Sequence, residues 1–160
     1  MIKRTYSLEL FFLITSLFLF CSCGRNTVFT DSVRMPGQEW TLDNVAVFTP
    51  GITDTLSFNN ISFNIRTGSS YPFRNIYLFV STTSPSGKTI TDTLQYMLAD
   101  EKGKWYGKGL GDIHELILPF KSNVYFPVKG KYTFAVRHGM RIETLKGVYD
   151  FGIRVEKTKK

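Results

Sequence analysis

The chain has 160 residues, 20 Lys and Arg against 13 Asp and Glu, and a formal net charge of +7. That length accommodates one domain with a sizeable core and hardly two, and 42% hydrophobic with 21% charged residues is a globular rather than a disordered balance. Two cysteines and two histidines exclude a disulfide-dense mini-protein, a four-cysteine zinc site and a histidine-rich metal cluster.

Lys3 and Arg4 precede an apolar run, Leu10 to Phe20 (LFFLITSLFLF), broken only by Thr15 and Ser16. As a helix this run would reach about 17 Å, well short of the ~30 Å hydrocarbon core of a bilayer. It is apolar on every side, so it does not read as a helix of the folded domain. A basic start, a short apolar stretch and small residues after it describe an export signal. Bacterial lipoproteins place a small residue directly before the cysteine that becomes the acylated N-terminus. Ser22 before Cys23 fits that pattern, whereas Phe20 would put a bulky ring before Cys21. A Cys21–Cys23 bridge would span a single residue and be strained. Residues 1–22 are therefore expected to be removed and Cys23 to be lipidated, for example with palmitate. Each buried methylene contributes about 0.8 kcal/mol, so several acyl chains make a stable anchor to a membrane. The mature chain then has 138 residues (160 less 22) and keeps 18 basic and 12 acidic side chains, a net charge of +6. Export removes nucleic acid from the expected partners and leaves solubility, or attraction to anionic headgroups and acidic envelope polymers, as the meaning of that charge.

Asn26 to Gln38 is rich in turn formers and poor in periodicity, so 23–38 reads as a lipidated N-terminus and tether, and 39–160 as the folded domain. Within that domain Ile61 to Arg66 alternates apolar and polar residues without error, as a strand with one buried face does. Phe73 to Thr82 is apolar on both parities, as in the middle of a sheet, and Thr89 to Leu98 returns from it after the turn-forming Ser84 to Lys88. His114 to Phe120, Lys131 to His138 and Val148 to Glu156 supply further strands. Tyr132, Phe134 and Val136 share one face, as do Phe151, Ile153 and Val155. No segment holds a helical period over three turns, and Met140 to Leu145 is the one helical candidate. About eight short strands separated by glycine-bearing turns predict an all-β fold, a single antiparallel β-sandwich. A jelly roll is compatible with this pattern, which does not itself give the strand order.

The most distinctive stretch is Gly103 to Asp112 (GKWYGKGLGD). Its glycines lack phosphate-loop spacing and no helix follows, so they read as a tight connection with close backbone approaches. Trp105 and Tyr106 would point to opposite faces of an extended segment, one packed inside and the other free to contact a partner or glycan. Asp112, His114 and Glu115 are the densest group of possible ligands, but a strand puts only Asp112 and His114 on one face, with His138 as a distant third. No nucleophile elbow and no carboxylate pair accompany them, so no catalytic residue, metal or cofactor is nominated.

Further pieces stand in a characteristic order: Phe63-Asn64-Ile65-Arg66, Tyr71 to Phe79, Asp92-Thr93-Leu94, Gly103 to Ile113, and Gly130 to Phe134. Met140-Arg141, Leu145 to Val148 and Asp150 to Val155 complete the series. With the lipoprotein-like start, this series covers nearly the whole chain and resembles the gliding-motility lipoprotein GldH family of the Bacteroidetes. The resemblance implies a non-enzymatic outer-membrane lipoprotein, anchored through Cys23, that supports a gliding or related secretion assembly by docking onto other envelope proteins. No acidic residue follows Cys23 in Gly24-Arg25-Asn26-Thr27, which favours the periplasmic leaflet. The alternative from a different class is an envelope carbohydrate- or peptidoglycan-binding module built on Trp105, Tyr106 and Asp112.

Overall fold

The alternation of Ile61 to Arg66 turns one side of a strand inward and leaves the other in water. In the computed structural model, which describes residues 26–159, this run lies in β5 (Asn59–Thr67), with Ile61, Phe63 and Ile65 buried. The export signal and Cys23 lie outside the described residues. The other strands are β1 (Thr27–Arg34), β2 (Glu39–Thr41), β3 (Ala46–Phe48), β4 (Gly51–Ile52), β6 (Asn75–Thr83) and β7 (Thr89–Met97). After them come β8 (Lys108–Leu110), β9 (Ile113–Val124), β10 (Gly130–Lys131), β11 (Thr133–His138), β12 (Thr144–Lys146) and β13 (Val148–Lys157).

These strands form two antiparallel sheets, ordered β1-β13-β5-β9-β8 and β3-β11-β6-β7, with two short ribbons, β10-β4 and β12-β2. The principal pairs are nested: β1 with β13, β3 with β11, β5 with β9, and β6 with β7. The chain is thus one long antiparallel hairpin rolled up so that successive pairs fall alternately on the two sheets. This is the strand order of a jelly roll. The β6–β7 hairpin turns through Ser84–Lys88 as expected, closed by Ser84 N–H donating to Lys88 C=O at 2.9 Å.

The inward faces meet in a core where Phe63, Phe134, Phe151, Ile76, Leu78, Val136 and Ile153 are almost wholly buried. Phe151 packs on Trp40 at 4.9 Å and on Phe63 at 5.3 Å between ring centroids. Burying side chains of this size stabilises by about 1.5–3 kcal/mol each. β6 is central in its sheet, as its two-sided apolar pattern predicted. Its outward Phe79 is covered by Gly139 and by the guanidinium of Arg137, 5.4 Å from the ring centre.

Two expectations are corrected. Residues 27–34, read as tether, form β1, which pairs along β13 with Thr30 opposite Arg154 and Val33 opposite Phe151. Phe29 and Val33 pack against the core and Met35 is buried within it. The turn formers that suggested a tether act only at the 3-10 turn Pro36–Gln38. Upstream of it, β-branched Thr27, Val28, Thr30 and Val33 favour a strand, and exposed Asp31 interrupts its apolar parity. The folded domain therefore begins by Thr27, not at residue 39. Met140 to Leu145 forms no helix: it bends into β12, where Leu145 is buried opposite Trp40 on β2. Pairing with β2 satisfies backbone groups that so short a helix would leave open.

Candidate functional site

The segment from Ala99 to Asp112 crosses from β7 to the β8–β9 hairpin. Its first turn is organised by Asp100, whose Oδ1 accepts from the Lys102 and Lys104 amides at 2.8 and 2.9 Å. An isolated bridge joins Ala99 to Trp105, and Tyr106 N–H donates to Leu98 C=O at 2.9 Å. Trp105 is thereby drawn inward while Tyr106 is turned out, the division between the two faces that an extended segment requires.

Trp105 lies parallel to the His114 ring at 5.1 Å and meets Tyr71 edge-on at 6.0 Å. Burial raises the pKa of the Tyr71 hydroxyl well above its usual value, so it stays protonated and donates to Asn75 C=O at 2.8 Å. Gly107 and Gly109 explain the glycine spacing. A Cβ on Gly107 would run into the backbone of Glu115 and the side chain of Leu116, and one on Gly109 into the carbonyl of Ile113 and the His114 ring. These glycines let β8 lie close against β9, as expected of a tight connection rather than a phosphate loop.

Asp112 is exposed in the β8–β9 turn and does not line the groove onto which Tyr106 opens. His138 is fully buried at the end of β11, in the other sheet, with Trp40 edge-on at 5.7 Å. Burial holds its pKa below the usual histidine value, and the nearby backbone of Trp40 and Glu143 offsets this only in part. The structure therefore places His138 in a different sheet from the β8–β9 hairpin that carries Asp112 and His114. Among the described residues, no group of three or more His, Cys, Asp or Glu side chains is placed to hold a metal ion.

Tyr106 instead opens onto a groove of about 540 Å³ between the facing edges of the two sheets. Its walls come from β7 (Tyr96, Met97), the Tyr106–Lys108 segment and β9 (Glu115 to Pro119). Tyr106 and Ile117 are 63% and 65% exposed. Tyr96 spans the groove, its hydroxyl donating to Pro119 C=O at 2.7 Å, and burial pushes its pKa up to about 12. An ion pair between Lys121 and Asp92, 2.9 Å long, ties the same two strands further along. Inward-facing charges and a proline are devices that discourage an edge strand from pairing indiscriminately. Tyr96, Met97 and Ile117 were not singled out from sequence. The available signal was an isoleucine on the outward parity of β9, between the inward Leu116 and Leu118.

A family model described as GldH lipoprotein matches residues 27–155, a span that begins with the first residue of β1. A gliding motility lipoprotein GldH homolog from Christiangramia forsetii is 32% identical over 157 residues, covering 94% of this chain and 96% of that protein. The gliding motility lipoprotein GldH of Flavobacterium johnsoniae is 36% identical over 151 residues, covering 90% and 92%.

Proposed function

The chain belongs to the GldH lipoprotein family, and from that membership we propose that it is a gliding-motility lipoprotein whose β-sandwich docks, without catalysis, onto other proteins of a gliding or related secretion assembly. In this reading Cys23 carries the acyl chains, the membrane is the outer membrane, and the domain faces the periplasm. The observation that carries the docking role is the open groove between β7 and β9. Exposed Tyr106, Met97 and Ile117 present apolar surface there, beside the opposed Lys108 and Glu115. An edge rich in aromatic and Met side chains suits an extended or aromatic-bearing partner surface better than a small polar substrate.

The test is crosslinking in intact cells with a photoreactive residue in place of Ile117. A discrete adduct with an envelope protein supports docking at this groove, and recovery of monomer alone overturns it. A glycan-binding role is the second reading, favoured by the outward ring of Tyr106. It is weakened because one face of Trp105 is covered by His114, which leaves a single free aromatic where a sugar platform would use both.

A further inference from the structure

One end of the sandwich gathers the chain's N-terminal approach, exposed apolar side chains and lysines. Across the sheet at this end, Thr27 on β1 lies opposite Glu156 on β13, which lies opposite Asn60 on β5. Asn59 in turn lies opposite Val124 on β9. One step beyond the paired rows, Lys157 N–H donates to Asn26 C=O at 2.7 Å and Thr158 N–H to Phe58 C=O at 2.8 Å. Strands lie about 4.8 Å apart, so Tyr125, just past β9, stands roughly 15 Å from Asn26.

The side chains at this end do not follow the usual pattern of a soluble rim. Leu56 is 90% exposed at the tip of the loop before β5. Phe58 and Tyr125 are both about half exposed, and their rings meet edge-on at 6.3 Å. The loop that carries Leu56 is held in place. The carboxylate of Asp54 accepts from the Leu56 and Ser57 amides and pairs with Lys157 Nζ at 2.7 Å. That network holds the Asp54 carboxyl well below the usual carboxylate range. A leucine offered to solvent on a structured loop, beside two half-exposed aromatics and the exposed Lys159, has the composition of a surface that sits in a bilayer interface.

We propose that this end docks onto the headgroup and upper acyl region of the membrane to which the chain is anchored. Leu56, Phe58 and Tyr125 would insert while Lys159 faces anionic headgroups and Lys157 holds the Leu56 loop through Asp54. The inference rests on lipidation at Cys23. Only two residues, Gly24 and Arg25, separate Cys23 from Asn26, and three extended steps reach at most ~11 Å. Acyl chains at Cys23 therefore hold this end, and no other, against the bilayer. A single weak interfacial contact gains from such tethering because it becomes intramolecular. The chemistry committed to is a phospholipid surface, since continuity with the anchor supplies that occupant without a second protein.

The full acylated protein, extracted from membranes, is reconstituted into phosphatidylethanolamine–phosphatidylglycerol vesicles that contain a nitroxide-labelled phospholipid. Leu56→Cys and, at the opposite end, Asp112→Cys are labelled with a maleimide fluorophore; both sites are exposed, so neither change disturbs the core. Loss of fluorescence at position 56 with retention at position 112 is the expected result. Equal quenching at both positions, with the protein floating on the vesicles, overturns the docked orientation and leaves the anchor intact. A parent chain that takes up maleimide at its own cysteine, or fails to float, overturns lipidation at Cys23 and this inference with it.

Discussion

The indole of Trp105 lies nearly parallel to the imidazole of His114, the ring centres 5.1 Å apart and the planes inclined by 12°. The indole also packs edge-on against Tyr71, so its work is to join the loop after β7 to the start of β9. Trp105→Ala is expected to destabilise the fold by about 2–3 kcal/mol, below the range for a fully buried tryptophan because the ring is only partly enclosed. Tyr106→Ala, which removes an exposed ring, should stay within about 0.5 kcal/mol. Urea unfolding separates the two. A Trp105→Ala protein with parental stability but lost affinity for peptidoglycan would restore the glycan-binding reading.

Arg66 on β5 and Asp150 on β13 are directly opposed, and Arg66 Nε and Nη2 both donate to Asp150 Oδ2, the former at 2.7 Å. Asp150 is nearly buried whereas the guanidinium is partly in water. Arg66→Met should therefore cost about 2 kcal/mol, less than the roughly 3–5 kcal/mol for stranding a charge of a fully buried pair, because the guanidinium side is open to water. Adding Asp150→Asn removes the stranded charge and should recover part of the loss. A double-mutant cycle by urea unfolding measures this; additive losses would show that the pair is not coupled.

Where the sequence carried a period, it carried the fold. Ile61 to Arg66 and Phe134 to Val136 announced strands because their inward residues are all apolar, and nothing local competes with that signal. Thr27–Arg34 was obscured because exposed Asp31 sits on the parity of Phe29 and Val33 and a proline turn follows closely. Its identity as a strand comes from β13, more than a hundred residues downstream. The nesting of pairs was not legible for the same reason, since register belongs to two segments at once. At the candidate site, the opposite facing of Trp105 and Tyr106 followed from extended geometry. The groove did not, because Tyr96, Ile117 and Pro119 meet only when the edges of the two sheets are brought together.

His138 gives stability a pH dependence whose sign can be worked out. Its ring nitrogens are buried without hydrogen-bond partners, and burial lowers its pKa from the ordinary value of 6.5. As pH falls through 6.5 the unfolded chain takes up a proton that the folded chain refuses, so stability is lost down to the folded pKa. The slope in that window is at most about 1.4 kcal/mol per pH unit. The parent protein should therefore unfold at lower urea at pH 5.5 than at pH 7.5. His138→Leu, which removes the titrating ring, should flatten that difference. An unchanged pH dependence in His138→Leu would assign the loss to other groups.

The lipid anchor itself is tested at the two cysteines, and the fold sharpens what is at stake. Because β1 begins at Thr27, only residues 24–26 lie between an acylated Cys23 and the sandwich. Such a link is too short to let the domain move freely away from the membrane surface. Labelled palmitate should enter the parent chain and Cys21→Ser, since removal of the signal discards position 21. Cys23→Ser should take up none and accumulate as a precursor 22 residues longer than the mature 138-residue form. It should also leave the membrane fraction when cleaved by any other route, because several acyl chains, not the apolar side chains at one end of the sandwich, supply most of the membrane affinity. Incorporation in Cys23→Ser equal to the parent would move the anchor to Cys21 and lengthen the link by two residues.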